Sequence, residues 1–126
     1  MKKLVVYRDK RGKEPYTKWL EKIKDLSMRA RVEQRIRRLE CGHYGDCRTV
    51  GGGVMELRLF FGSGYRVYFA EYGEMVVVLL RGGDKASQKR DIENAKAYWQ
   101  WRRMSMDYRN FTDALHERLQ DGKYAC

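Results

Sequence analysis

Apolar positions along this chain alternate between a helical and a strand-like period. Leu4-Val5-Val6-Tyr7 is a β-favouring run bounded by charges and predicts a short strand. Lys10 to Lys13, around Gly12, form a basic turn. Pro15 suits the first turn of a helix, where its missing N–H costs nothing, and Trp19, Leu20, Ile23 and Leu26 follow at helical spacing. Ser27 is placed to cap a second helix whose apolar stripe is Met28, Val32, Ile36 and Leu39. Arg29, Arg31, Arg35, Arg37 and Arg38 occupy its other faces, and Gly42 ends it.

The glycine-rich stretch from His43 to Gly53 reads as a loop. Beyond it the period becomes two: Val54 to Phe61 and Tyr65 to Tyr72 are strands joined at Gly62-Ser63-Gly64, and Met75 to Arg81 is a third. This third strand is apolar on both faces, which places it centrally with a helix over at least one side. Gly82-Gly83-Asp84 breaks it. Ser87 then caps a helix running to about Arg103, with Ile92, Ala95, Tyr98 and Trp99 on one face. The predicted order is β-α-α-β-β-β-α, an α+β fold with a small, mostly antiparallel twisted sheet packed against helices.

The chain has 126 residues, enough for one domain with its own core. Lys and Arg number 27 against 17 Asp and Glu, a formal charge of +10. The basic excess lies in the body, while residues 104–126 are slightly acidic. Such a body favours polyanionic partners, most simply nucleic acid. The apolar run after Met1-Lys2-Lys3 is too short for a signal-peptide core, and Met75 to Leu80 is too short for a membrane span, so a cytoplasmic location and no membrane partner are expected. Three cysteines are an odd count that implies no disulfide framework. Cys41, His43 and Cys47 lack a nearby fourth ligand, so neither a metal nor another cofactor is expected.

The hairpin carries the candidate chemistry. A three-residue loop at Gly62-Ser63-Gly64 would pair Phe61 with Tyr65, Phe60 with Arg66 and Arg58 with Tyr68. Met55, Leu57, Leu59, Phe61, Tyr65, Val67 and Phe69 then form a core face, and Glu56, Arg58, Phe60, Arg66, Tyr68 and Ala70 share the opposite one. Guanidinium groups grip phosphate and aromatic rings stack on bases, so the mixture suits RNA. It also fits a solvated strand face on which Glu56 pairs an arginine. Lys85 follows a strand end and two glycines at a helix start, an arrangement that favours an anion. The four-residue spacer of a nucleotide-binding P-loop is missing.

Gly42-His43-Tyr44-Gly45-Asp46, Gly53-Val54-Met55-Glu56-Leu57-Arg58, Gly62-Ser63-Gly64-Tyr65-Arg66-Val67-Tyr68-Phe69 and Gly82-Gly83-Asp84-Lys85-Ala86-Ser87-Gln88 occur in that order. With Trp19-Leu20 and Asp91-Ile92-Ala95, they resemble the addiction-module killer proteins, HigB-like toxins of the RelE/ParE superfamily also seen in phage-derived genes. The resemblance covers about residues 3–103. It implies a RelE-like fold and a type II toxin held inactive by a cognate antitoxin, of helix-turn-helix type, in a complex that could be a heterotetramer. It further implies metal-independent cleavage of mRNA on translating ribosomes, by attack of a ribose 2′-OH on the adjacent phosphate.

On this resemblance Arg58, Arg66 and Lys85 are the basic catalytic residues that neutralise the phosphorane and the leaving oxygen. A tyrosine of some RelE-like sites early in the last helix is not matched, and Asp91 lies near that place. The proton acceptor stays open among Glu56, Lys85 and His43. Tyr68, Phe60, His43, Arg35 and Arg38 are the expected RNA contacts. Two other functions share the fold: a ParE-like gyrase-inhibiting toxin, and a catalytically inactive RNA- or antitoxin-binding module.

The toxin domain is expected over residues 1–103. Residues 104–126 form a C-terminal extension that exceeds the usual toxin length, with a weaker helix from Phe111 to Leu119. This segment fits a helix packing its Phe111, Leu115 and Leu119 on the body. Alternatively, an acidic tail could mask the basic face in cis.

Overall fold

A computed structural model describes the backbone of residues 1–105 and the side chains of residues 1–102. The predicted Phe111–Leu119 helix, and with it the question of cis masking, lies outside the described residues. The elements run β1 (Lys3–Val6), α1 (Pro15–Lys22), α2 (Leu26–Glu40), β2 (Cys47–Gly51), β3 (Val54–Arg58), β4 (Arg66–Tyr72), β5 (Val76–Gly83) and α3 (Gln88–Ser105). The fold is α+β, and one mixed sheet has the order β1-β5-β4-β3-β2. Within it the β1–β5 pair is parallel and the other three pairs are antiparallel.

β5 lies inside the sheet and is covered on both faces, as its continuous apolar run requires. On one side Leu4, Leu57, Leu59, Val67, Phe69, Val77 and Leu79 pack against Tyr16, Leu20 and Ile23 of the α1 region and Val32, Ile36 and Leu39 of α2. On the other side Val5, Tyr7, Val54, Tyr68, Ala70, Val78 and Leu80 pack against Ala95 and Trp99 of α3. The two faces of the hairpin therefore divide as the alternation predicts, but α3 covers part of the face expected to be open.

Four local expectations are corrected. Residues 47–51 form the edge strand β2 instead of loop, with Cys47, Arg48 and Thr49 opposite Leu57, Glu56 and Met55. An edge strand with mostly exposed side chains lacks the alternation that reveals a strand. The β3–β4 register is also shifted by two residues, so that Glu56 faces Tyr68 and Arg58 faces Arg66. The cause is a wider loop: Leu59 N–H donates to Tyr65 O (3.0 Å), and the chain then turns through positive φ at Phe60, Gly62 and Gly64. A shift of two preserves the side-chain faces.

The α2 cap is Asp25, not Ser27. Its carboxylate accepts the N–H groups of Ser27 (2.9 Å) and Met28 (3.3 Å), and a charge suits a helix N-terminus better than a hydroxyl. Finally, Gly82 and Gly83 lie within β5. A Cβ on Gly82 would overlap the Trp19 ring of α1, and one on Gly83 would overlap the Asp91 carboxylate of α3. These glycines let a helix approach the strand from each side.

Candidate functional site

Arg58 ends β3 and Arg66 begins β4, and the two are direct cross-strand partners. Lys85 joins them through the hairpin loop. Its N–H donates to Ser63 O (3.3 Å), and Ser63 Oγ donates to Asp84 Oδ2 (3.2 Å). Gly64 lies so close that a Cβ there would stand 3.1 Å from Lys85 Cβ and 3.4 Å from Arg66 Nη1. Loop and strand end thus bring the chain at Lys85 beside Arg66 and its cross-strand partner Arg58. Asp84 also accepts from Ser87 N–H (3.1 Å), which fixes the turn into α3 behind Lys85.

Glu56 is the hub beneath them. It is fully buried and accepts from Arg48 Nε (2.9 Å), Tyr68 Oη (3.0 Å) and Gln88 Nε2 (2.9 Å), while Arg66 Nε lies 3.6 Å away. Burial works against its charge, but the hydrogen bonds from Gln88, Arg48 and Tyr68 outweigh that and hold the carboxyl below the usual range. A carboxylate with no exposed surface and these partners holds guanidinium groups in place. Burial and the charge of Glu56 push the Tyr68 hydroxyl upward, so it stays a neutral donor.

Because the folded-state pKa of Glu56 is depressed, its contribution to stability is present above the ordinary value of 4.5 and is lost as pH falls through the folded value. Asp25, through Ser27 and Met28, and Asp84, through Ser87 and Ser63 despite burial, are lowered too, so their contributions are lost in the same direction, below their ordinary value of 3.8. Denaturant titrations from pH 6 to 3 should therefore show stability falling on acidification, with a shallower fall in Glu56→Gln. An equal slope in the variant would remove Glu56 from that account.

Arg58 is aimed by Asp46, a residue to which the sequence pattern assigns no role. Arg58 Nε lies 3.1 Å from Asp46 Oδ2, its Nη2 donates to Asp46 Oδ1 (3.4 Å), and its N–H donates to Asp46 O (3.0 Å). Asp46 leads into β2, so its place becomes visible only once that edge strand pairs with β3. The Arg58 guanidinium also lies 5.3 Å from the centroid of Phe60, which is 74% exposed and free to stack.

The other expected RNA contacts separate. Tyr68 has no exposed surface, so its ring cannot stack on a base here; α3 covers the face that alternation alone leaves open. Arg35 is half-buried against Gly45, and burial together with Arg38 lowers its pKa while the nearby Asp46 charge opposes this. Arg38 and His43 are exposed at the end of α2, where His43 N–H donates to Arg38 O (2.9 Å). The contacts that join Arg58, Arg66, Lys85 and Glu56 include neither of them. Among the described residues no group of three or more His, Cys, Asp or Glu is placed to hold a metal ion, and no helix is long and apolar enough to cross a membrane.

No family model matches the sequence. The chain is 44% identical over 81 residues to an uncharacterized protein of Haemophilus influenzae, a match that takes in 64% of this chain and 82% of that protein. The chain belongs to that protein's family. Kinship at this level, over most of the relative's length, assigns no chemistry to the site.

Proposed function

We propose that this chain is a RelE-like toxin of a type II toxin–antitoxin pair, a metal-independent endoribonuclease acting on mRNA at translating ribosomes. The observation that supports this reading most is the set of Arg58 and Arg66, paired across the hairpin, with Lys85 held against the same loop. Arg58 keeps 41% of its side chain exposed, whereas Arg66 keeps 12% and is held by Glu56 and the Gly64 carbonyl.

The reaction that suits such a site is transesterification. The ribose 2′-oxygen attacks the adjacent phosphorus, the bond to the 5′-oxygen breaks, and a 2′,3′-cyclic phosphate and a 5′-hydroxyl result. Arg58 and Arg66 neutralise the phosphorane, and Lys85 steadies the departing 5′-oxygen and gives it a proton. Glu56 positions Arg66. In this reading Asp46, partly exposed where Glu56 is buried, takes the 2′-OH proton, and Phe60 offers a ring to a flanking base. A cytoplasmic location and an antitoxin of helix-turn-helix type, in a heterotetramer or a simpler complex, belong to the same proposal.

Induced expression with mapping of mRNA 5′ ends on translating ribosomes tests it. New 5′ ends should appear with the wild-type chain and fall by about 10²- to 10³-fold in Arg66→Ala, the loss typical of one transition-state donor. The variant must retain its circular dichroism. Supercoiling defects with intact mRNA would move the assignment to a ParE-like gyrase inhibitor. Neither effect, with RNA or antitoxin still bound, would leave an inactive binding module.

A further inference from the structure

A second concave site lies on other elements, between the β1–α1 connection and the later part of α3. It is a cavity of about 350 Å³ lined by Tyr7, Asp9, Lys10, Arg11, Lys13 and Trp101. Its floor is aromatic: Tyr98 stacks on Tyr7 at 4.8 Å and 15°, and Trp101 meets Tyr7 edge-on at 6.3 Å and 83°. Tyr7 N–H donates to Leu79 O (2.8 Å), which anchors this floor to the sheet.

The rim is basic and ordered by its own backbone. Asp9 Oδ1 accepts the N–H groups of Arg11 and Lys13 at 2.9 Å each, and Asp9 N–H donates to Lys13 O (2.8 Å). The turn thereby occupies one oxygen of the Asp9 carboxylate and leaves Lys10, Arg11 and Lys13 exposed. Among the described residues no carboxylate forms an ion pair with any of the three, whereas the neighbouring Arg8 is paired with Glu14 at 3.0 Å. Lys10 Nζ lies 5.6 Å from the Trp101 ring centroid, so this ring presents its face to a charged group at the cavity.

We propose that this cavity is a single-stranded nucleic-acid subsite in which a base stacks on Trp101 and the flanking phosphates lie on Lys10, Arg11 and Lys13. A bare anion would leave the aromatic floor unused, and an apolar ligand would leave three cations unused. A base joined to phosphates uses both. The subsite involves neither a 2′-OH nor the Arg58–Arg66 pair, so it stands whether or not the chain cuts RNA.

Fluorescence anisotropy of a labelled 2′-deoxy oligonucleotide, which 2′-OH attack cannot cleave, tests this on the full chain. Lys10→Ala, Arg11→Ala and Lys13→Ala combined should flatten the dependence of log K on log salt by about 2, at roughly 0.7 for each phosphate no longer neutralised. Trp101→Leu should weaken binding about 5- to 150-fold, while Trp101→Phe, which keeps a stacking ring, should recover most of it. Unchanged affinity and salt slope in the triple variant would overturn the proposal. So would equal binding by Trp101→Leu and Trp101→Phe, or tighter binding of an acidic peptide than of the oligonucleotide.

Discussion

Glu56→Ala should lower the stability of the chain by roughly 3–5 kcal/mol, the loss typical when one partner of a buried ion pair is removed. The effect should appear as a fall of about 10 °C or more in the midpoint of a circular-dichroism melt, since each kcal/mol shifts a domain of this size by several degrees. The four partners of Glu56 divide this cost unequally. Arg48 is 55% exposed and can turn to water, so its loss is small. Arg66 is only 12% exposed, and the Tyr68 hydroxyl and Gln88 amide are held against the same carboxylate from two other elements. Their desolvation is no longer compensated in the variant, so most of the cost arises there. Arg48→Ala should accordingly cost far less than Glu56→Ala, as for other exposed pairs. Equal losses in the two variants would show that the hub does not act as one buried unit.

Much of this arrangement is legible before any coordinates. Period-two alternation assigns every residue of the β3–β4 hairpin to its correct face, and the double-sided apolar run of β5 places that strand inside the sheet. What alternation cannot show is how far a loop extends. Phe60 adopts a positive φ, which a non-glycine residue rarely does, so the turn is wider than its glycines suggest and the register slips by two. That slip replaces the expected Arg58–Tyr68 pairing by Arg58–Arg66, which sharpens the cation cluster. β2 escapes a pattern-based reading because Arg48 and Thr49 face water on a sheet edge, where no apolar pattern is needed. Alternation puts Tyr68 and Glu56 on the right face yet leaves that face open, because nothing local states that α3 will lie across it. For the same reason Asp46 gains a role only when β2 brings it to Arg58.

The glycine pair of β5 allows the strongest test of how α3 is seated. Gly83→Ala places a methyl group into the Asp91 carboxylate, and that carboxylate has little room to retreat. Asp91 is buried, pairs with Arg81 Nε at 3.3 Å and accepts from Ser87 Oγ. Overpacking alone costs about 1–3 kcal/mol. Pushing Asp91 away from Arg81 adds part of the penalty for a broken buried pair, so a total of about 3–5 kcal/mol is expected. Gly82→Ala should cost less, because it meets the partly buried ring of Trp19, which carries no charge and packs edge-on against Tyr65 at 5.7 Å. A double-mutant cycle decides whether the Asp91 clash is the cause. Asp91→Ala removes the obstacle while leaving Arg81 without its partner, so it is destabilising alone, yet it should make Gly83→Ala far less harmful. A coupling of at least about 1 kcal/mol, within the range for residues in contact, is therefore expected in denaturant unfolding. Strict additivity would mean that Gly83 is needed for its backbone alone and not for the approach of α3, and the seat of Lys85 and Gln88 at the head of that helix would need another cause.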